Sequence, residues 1–176
     1  EWPRCALMFL GDFVDRGPAS AQVLDHLTAD TPRGLTRFCL AGNHEIMMLD
    51  AIEGRCPPRH WLEFGGLETL LSYGISARDL DRAPPSSPRF RYLLDSHIPA
   101  EHVQFLRALP VAIDLPKLLL VHAGARLDIP LAQQSDRELT FGPSGISEVP
   151  AEDKTIVHGH HPVDAPVSRI GNINVD

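Results

Sequence analysis

Four short polar segments of this sequence each follow directly on an apolar run that is typical of a β-strand. The segments are GDFVDRG at 11–17, GNHE at 42–45, HAG at 122–124 and HGHH at 158–161. They carry side chains that ligate metals, transfer protons or bind anions: Asp12, Asp15, Arg16, Asn43, His44, Glu45, His122, His158 and His160. Reactive groups are therefore concentrated at the predicted strand ends.

The residue types indicate a metal centre that meets an anion. Aspartate, asparagine and histidine without a thiolate suit hard to borderline metals such as Mn²⁺, Fe or Zn²⁺. Asp15 can orient a histidine, and the guanidinium fork of Arg16 matches the oxygens of a phosphate group. We therefore interpret the charge after the first strand as metal coordination combined with anion binding.

Strand and helix signals alternate in the first part of the chain and favour an α/β fold. We predict a buried strand over Cys5–Leu10, and a helix over Ser20–Thr28 because apolar residues recur there at helical spacing. A second strand follows over Thr36–Leu40 and a second helix over Glu45–Ile52. The carboxyl ends of the strands form the binding crevice of such folds, so the four polar segments should converge there.

The rest of the chain is predicted to contain an insertion, then further strands. The insertion runs from Arg55 to about Pro99, with a helix or two and loose loops, because it is rich in proline and glycine pairs. Trp61, Phe64 and Leu67 are expected to pack it, with a place in a substrate groove as the alternative. Beyond it we predict a helix over Pro99–Leu109, strands over Val111–Leu115, Lys117–Val121 and Thr155–Val157, a loop-rich segment over Gln133–Asp153 and a closing hairpin that turns at Gly171 and Asn172.

Length, charge and cysteine content narrow the class of protein. At 176 residues the chain is expected to form a single domain over 1–176. A net charge of −7 argues against a nucleic-acid partner, and no apolar run reaches the ~18 residues of a membrane span. Three cysteines without a CxxC pair argue against a disulfide framework, so the cytoplasm is the expected compartment. Cys5 and Cys39 are expected to be core residues.

In this order, GDFVDRG, GNHE, HAG and HGH resemble the motifs of the calcineurin-like metallophosphoesterases. More narrowly, they resemble the bacterial and phage-type branch of the phosphoprotein (serine/threonine) phosphatases. GGLETLLSYG at 65–74 is similar to the middle of the bacterial members, and the resemblance runs from Cys5 to Asp176. It implies an α/β sandwich of mixed β-sheets flanked by helices.

The resemblance also implies a role for each matching residue. Two divalent metal ions, in the first place Mn²⁺ with Fe or Zn²⁺ as alternatives, would be held by Asp12, Asn43, His122 and His160. Asp15 would support His44, the general acid, while Arg16 holds a phosphate oxygen. Asn43 and Arg126 would also contact substrate. Glu45 is expected to hold the turn through charged hydrogen bonds, and His158 to be structural.

Several features depart from the family pattern. The opening GDxHG motif, whose Asp and His complete the first metal site, is absent, and relatives continue beyond the closing INVD. The chain is therefore expected to be a fragment, incomplete at both ends. Bacterial relatives also carry a phosphate-binding arginine where this chain has Pro143, and Arg126 or Arg137 are the candidates to replace it.

Three functions compete at this point. The first is a metal-dependent phosphomonoesterase, a serine/threonine or dual-specificity protein phosphatase that acts on a phosphorylated protein or a small phosphoester. The second is a bis(5'-nucleosyl)-tetraphosphatase, a class that usually has Ala in place of Asp15 and GNHD in place of GNHE; Asp15 and Glu45 favour the first function. The third is a catalytically impaired relative that lacks the first metal half-site. The sequence does not indicate an oligomeric state.

Overall fold

The computed structural model of the chain describes residues 5–126, 128–142 and 154–176. These residues divide into two compact units. The first holds the described parts of 1–11, 33–43 and 109–176, and the second holds 12–32 and 44–108. The single domain over 1–176 stays a prediction, and Pro143 lies outside the described residues.

The described strands lie in the first unit, and most of the helices lie in the second. The strands are β1 Cys5–Phe9, β2 Leu35–Cys39, β3 Ala112–Asp114, β4 Leu118–Val121, β5 Thr155–His158, β6 Val167–Arg169 and β7 Asn172–Asn174. The helices are α1 Ser20–Thr28, α2 Asn43–Glu53, α3 Pro58–Trp61, α4 Leu67–Ser72, α5 Ala77–Asp81, α6 Pro88–His97, α7 Ala100–Ala108 and α8 Asp136–Phe141, with a π-helical turn at Leu62–Gly66 and a 3₁₀ turn at Leu131–Gln133. Along this described part of the chain, no helix is long and apolar enough to cross a membrane.

The first unit contains a mixed sheet in the order β3-β4-β5-β7-β6. β4 pairs with β5 and β5 with β7 in parallel, whereas β3 pairs with β4 and β6 with β7 in antiparallel fashion. Its core includes an apolar cluster formed by Leu119, Val121, Ala125, Leu139 and Ile156. The sheet therefore confirms the predicted strands and a closing hairpin, although the hairpin turns at Ile170 and Gly171 because Asn172 already belongs to β7. It sets His122 and His160 just beyond β4 and β5.

β1 and β2 pair in parallel as a separate sheet of the first unit. The prediction that β1 is buried is wrong: all five of its residues are exposed, Cys5 among them, and Cys39 is half-buried rather than in the core. The apolar residues of β1 could be buried by a neighbouring layer. Among the described residues, however, the sheet that contains β1 has two strands. Leu7 and Phe9 consequently remain 41% and 38% exposed.

The second unit is helical, and α1 spans the predicted residues. Its buried face, which includes Leu24 and Leu27, packs against α4 and α7. The insertion is more helical than predicted, because Pro58 and Pro88 stand in the first turns of α3 and α6. Proline is tolerated there, where its missing N–H would have no partner within the helix. Likewise, the predicted loop-rich segment contains α8.

Candidate metal and proton-transfer site

Three predicted metal ligands meet in the first unit, each just beyond a strand. Asn43 follows β2, His122 follows β4 and His160 follows β5. The His122 Nε2 atom lies 3.0 Å from Asn43 Oδ1 and 3.1 Å from His160 Nδ1. The Asn43 Oδ1 and His160 Nδ1 atoms are themselves 3.1 Å apart. Residues that are 117 positions apart in the sequence are thus brought into one cluster.

The hydrogen bonding of His122 orients a lone pair into this cluster. His122 Nδ1 lies 2.7 Å from the carbonyl oxygen of Leu10. A carbonyl can only accept, so Nδ1 carries the proton and Nε2 keeps its lone pair. That lone pair faces the amide oxygen of Asn43 and the ring of His160, which are also metal-ligand types. The donor set therefore fits a divalent cation.

Several predicted site residues adopt left-handed backbone conformations. The φ angle is 60° at Asp12, 73° at Asp15, 59° at Arg16 and 66° at His160. Such angles are uncommon outside glycine and cost on the order of 1–3 kcal/mol each. Strain of this kind persists where the surrounding structure holds the backbone in place, and it is concentrated at functional sites.

The Glu45 side chain holds the GDFVDRG turn through hydrogen bonds to its backbone. Its carboxylate accepts the backbone N–H groups of Asp12 at 2.8 Å, Phe13 at 2.7 Å and Val14 at 3.2 Å. The side chain is almost fully buried, with 1% of the residue exposed. A buried carboxylate is tolerated when its oxygens accept several hydrogen bonds. This agrees with the expectation that Glu45 fixes the turn.

In the second unit, Asp15 and His44 form a buried pair. His44 Nδ1 lies 2.7 Å from Asp15 Oδ2, and both residues are less than one-tenth exposed. Burial lowers the pKa of His44, but the Asp15 hydrogen bond and the charges of Asp12 and Asp15 outweigh it. The pKa of His44 is therefore raised above its ordinary value, with Arg16 acting in the opposite direction. The pair can thus hold a proton for transfer.

Two further residues, which lie outside the four polar motifs, hold the Asp15 carboxylate. The Trp61 indole N–H lies 2.9 and 3.1 Å from its two oxygens, and the Thr69 hydroxyl donates at 2.8 Å. Thr69 also accepts the Asp15 backbone N–H. Trp61 packs the insertion as predicted, against Gly66. A signal was available, because a buried tryptophan N–H usually needs an acceptor.

The predicted arginines have different surroundings. Arg16 is exposed, and its backbone N–H donates to the Gly65 carbonyl at 3.2 Å. Arg126 pairs with Asp128 at 2.5 Å, and that hydrogen bond raises the pKa of Arg126. The Arg137 guanidinium lies over the Phe141 ring at 4.3 Å. The substrate-binding role of Arg126 stays a prediction.

His158 is structural in its contacts. Its Nε2 atom lies 2.8 Å from Asn172 Oδ1, and this contact ties β5 to β7. Its Nδ1 atom lies 2.9 Å from the Gly159 carbonyl. The neighbouring His161 stacks edge-on against His160, with ring centroids 4.8 Å apart. Within HGHH, His160 therefore faces the potential metal ligands His122 and Asn43, whereas His158 stabilises the sheet.

Comparison with known proteins identifies the family. A model of the calcineurin-like phosphoesterases matches residues 4–174. The chain belongs to the calcineurin-like phosphoesterase family. The members of this family are metal-dependent hydrolases, which agrees with the donor set around His122. No curated protein matches the chain.

A solved structure shows that the fold is shared as well. The crystal structure of a protein provisionally assigned as a diadenosine tetraphosphatase is 19% identical, with a TM-score of 0.62. The match covers 97% of this chain and 69% of that one. At this identity the likeness concerns the fold, and it confirms the predicted α/β arrangement of sheets flanked by helices.

Proposed function

We propose that this calcineurin-like phosphoesterase is a phosphomonoesterase that removes phosphate from phosphoserine or phosphothreonine in proteins, with dual specificity as a variant of that activity. The observation that carries the proposal is the buried Asp15–His44 pair, in which His44 Nδ1 lies 2.7 Å from Asp15 Oδ2. Arg16 directly follows Asp15 in the chain. A proton donor beside an anion-binding guanidinium suits the departure of an alcohol from a phosphate ester.

The metal-binding part of the proposal rests on four side chains. Asp12, Asn43, His122 and His160 are proposed to hold two divalent ions, in the first place Mn²⁺. Such ions would supply Lewis-acid activation of water and of the phosphoryl group. The donor geometry around His122 supports this assignment, since amide oxygen and imidazole nitrogen atoms converge there.

The chain's own residues account for proton transfer and charge neutralisation. Asp15 accepts from His44 Nδ1 and fixes the ring, so the proton for the leaving oxygen is held at His44 Nε2. Arg16 neutralises the equatorial phosphoryl oxygens as negative charge develops on the leaving group. Glu45 accepts the backbone N–H groups of Asp12, Phe13 and Val14, and so it fixes the part of the turn that leads into Asp15 and Arg16.

A dinucleoside tetraphosphate hydrolase is the second candidate, favoured by the likeness to the solved structure described above. Asp15 argues for the phosphomonoesterase. With Ala at this position, as is usual in the second class, His44, Trp61 and Thr69 would each lose an acceptor that they have here. An unsatisfied buried donor costs about 1–3 kcal/mol. The hydrogen bonding of His44, Trp61 and Thr69 therefore depends on the Asp15 carboxylate.

The test measures hydrolysis of para-nitrophenyl phosphate with and without Mn²⁺. His44→Asn should lower the rate by about 10²–10⁴-fold, because it removes the general acid. Asp12→Asn should abolish turnover and keep the fold, because asparagine tolerates the left-handed conformation at φ 60°. His97→Asn is the matched control, since His97 lies exposed on α6.

Circular dichroism and thermal melting establish that each variant is folded. Wild-type rates in folded His44→Asn and Asp12→Asn proteins would remove these role assignments. Hydrolysis of diadenosine tetraphosphate without hydrolysis of the monoester would instead support the second candidate. Loss of both activities in the wild-type chain with Mn²⁺ would support the catalytically impaired relative.

A further inference from the structure

A shallow groove borders Arg16 within the second unit. It has a volume of about 390 Å³ and is lined by the Arg16 side chain and by residues of the π-helical turn and α4. These lining residues include Glu63, Phe64, Gly65, Leu67 and Glu68. Because every lining residue belongs to the second unit, the groove is a local feature of the insertion and the GDFVDRG turn.

The position of the groove relative to Arg16 is set by close packing. A methyl group added to Gly65 would lie 2.7 Å from the Arg16 backbone nitrogen and 2.8 Å from its Cγ atom. The Gly65 carbonyl also accepts the Arg16 N–H. The proposed phosphate-binding side chain and the groove are therefore adjoining parts of the same surface.

The groove presents apolar side chains to solvent. Phe64 is 45% and Leu67 is 42% exposed, and Leu71, one helical turn beyond Leu67, is 45% exposed. Phe64 contacts the His60 ring edge-on, but Phe64 and Leu67 are both too exposed for the predicted packing role, so the groove alternative fits them better. Exposed apolar groups beside a polar binding group are typical of surfaces that bind a ligand.

The charges of the groove are unbalanced. Glu63 and Glu68 line it, and neither forms an ion pair or a side-chain hydrogen bond with any residue the structure describes. Among the described lining residues, Arg16 is the one cation. Once Arg16 binds a phosphate group, the remaining surface is acidic, so it would repel a second phosphate and attract a basic group.

We propose that this groove binds the residues next to the phosphorylated side chain of a protein substrate, and that it selects basic and apolar neighbours. This inference rests on the proposed phosphomonoesterase activity and names its substrate class. Glu63 and Glu68 would attract lysine or arginine, while Phe64 and Leu67 would contact an apolar side chain. A polyphosphate chain would find like charges instead, so the groove disfavours dinucleoside tetraphosphates.

The experiment compares two short phosphothreonine peptides that differ only in whether lysine or glutamate flanks the same apolar residue. Their kcat/KM values are measured at low and high salt with the wild-type chain and with the double variant Glu63→Gln/Glu68→Gln. Glu101→Gln is the control, because Glu101 is an exposed glutamate on α7, outside the groove. Para-nitrophenyl phosphate, which has no flanking residues, reports the basal activity.

The wild-type chain should favour the lysine peptide by about tenfold at low salt, the combined effect of two exposed ion pairs. The preference should shrink at high salt and approach unity in the double variant, with para-nitrophenyl phosphate hydrolysis unchanged. Glu101→Gln should behave as wild type. Equal kcat/KM values for the two peptides in the wild type, or a preference that survives in the double variant, would overturn the inference.

A binding measurement separates this inference from the proposed function. Fluorescence anisotropy gives the affinity of each labelled peptide whether or not it is hydrolysed. If para-nitrophenyl phosphate is not hydrolysed, the proposed function fails, and the groove is judged by its affinities alone. Tighter binding of the lysine peptide, lost in the double variant, would support the groove; equal affinities would overturn it.

Discussion

At the scale of single residues, the chemistry of the second unit depends on how firmly Asp15 is held. His44, Trp61 and Thr69 all donate to its carboxylate at distances of 2.7–2.9 Å. Donors on several sides leave the carboxylate one orientation, and the His44 ring is fixed in turn. A residue that contacts the Asp15 carboxylate, such as Trp61, can therefore influence proton transfer through Asp15.

Trp61→Phe tests this influence. The substitution keeps an aromatic ring against Gly66 but removes the N–H that donates to Asp15. Loss of a hydrogen bond to a buried charged group should lower the free energy of unfolding by about 1.5–3 kcal/mol. Because Asp15 then moves more freely, kcat for para-nitrophenyl phosphate should fall roughly tenfold while KM is retained.

Tyr92→Phe is the control for Trp61→Phe, because it removes a polar atom from an aromatic residue that is 70% exposed. It should leave both stability and kcat unchanged. Urea denaturation and steady-state kinetics provide the measurements. A Trp61→Phe protein with the stability and kcat of the wild type would show that the indole N–H does not position Asp15.

The sequence predicted the residues of the motifs but not those that support them. His122 and His160 were predictable because they follow the parallel neighbours β4 and β5, whose ends meet at one edge of a sheet. Asn43 follows β2 of the separate two-stranded sheet, and its motif alone indicated it. Trp61 and Thr69 lie 46 and 54 residues from Asp15. Their contact depends on the path of the whole insertion, which no local periodicity records.

At the scale of elements, the π-helical turn controls the position of Arg16. Gly65 has a φ of 110°, and a side chain there would meet Arg16. Gly74 has a φ of 82°, but nothing lies within 4 Å of an added Cβ. The two glycines therefore share a backbone requirement and differ in steric surroundings.

Gly74→Ala should destabilise the chain by about 1–2 kcal/mol, the cost of a left-handed conformation. Gly65→Ala should cost about 1–3 kcal/mol more, because Arg16 must move to admit the methyl group. It should also raise KM for para-nitrophenyl phosphate, whereas Gly74→Ala should not. Urea denaturation and kinetics of the pair decide this, and equal effects of the two substitutions would contradict it.

α8 begins with a capping box that makes its stability depend on pH. The Ser135 backbone N–H donates to the Glu138 carboxylate at 2.8 Å and its hydroxyl at 2.7 Å, and these bonds lower the pKa of Glu138. A carboxylate with a lowered pKa stabilises the fold above its ordinary pKa of 4.5. The contribution is lost as the pH falls through the lowered value.

Glu138→Gln should therefore lower the melting temperature at pH 7, and the difference from wild type should shrink as the pH falls below the ordinary pKa of 4.5. Asp95→Asn is the control, since Asp95 is an exposed carboxylate on α6 with no such partner among the described residues. Thermal melts across this range give the measurement. A difference that stays constant with pH would show that the charge of Glu138 does not act through the cap.

Elements were predictable where apolar spacing is regular. α1 matches its predicted bounds because Val23, Leu24 and Leu27 recur at helical spacing. The insertion was less predictable, because proline indicates a loop in the sequence and yet Pro58 and Pro88 begin helices. The predicted burial of β1 was wrong for another reason. Burial of a strand depends on a neighbouring layer, which the strand's own sequence does not specify.

At the scale of the whole molecule, each unit carries one part of the proposed chemistry. The first holds the donor cluster of Asn43, His122 and His160, and the second holds the Asp15–His44 pair. The chain passes between the units at Gly11–Asp12 and at Asn43–His44, inside the GDFVDRG and GNHE motifs. Short sequence motifs therefore link the metal donors to the proton donor along the chain.

Metal binding should stabilise the folded chain as a whole. A ligand that binds the native state at a free concentration one hundred times its Kd adds about 2.7 kcal/mol, which for a chain of this size raises Tm by roughly 5–10 °C. Mn²⁺ should produce such a rise in the wild type, and EDTA should reverse it. In His122→Ala and His160→Asn the metal-induced rise should be lost, whatever the melting temperature without metal.

His97→Ala is the control for these variants, because it removes an exposed imidazole on α6 and should keep the full metal-induced rise. The bound metal is then counted by elemental analysis of the dialysed protein. Two ions per chain would support the dinuclear enzyme, and one or none would support the impaired relative. An Mn²⁺-induced rise that survives in both His122→Ala and His160→Asn would place the metal on other residues, because these two side chains provide the imidazole nitrogens that meet Asn43.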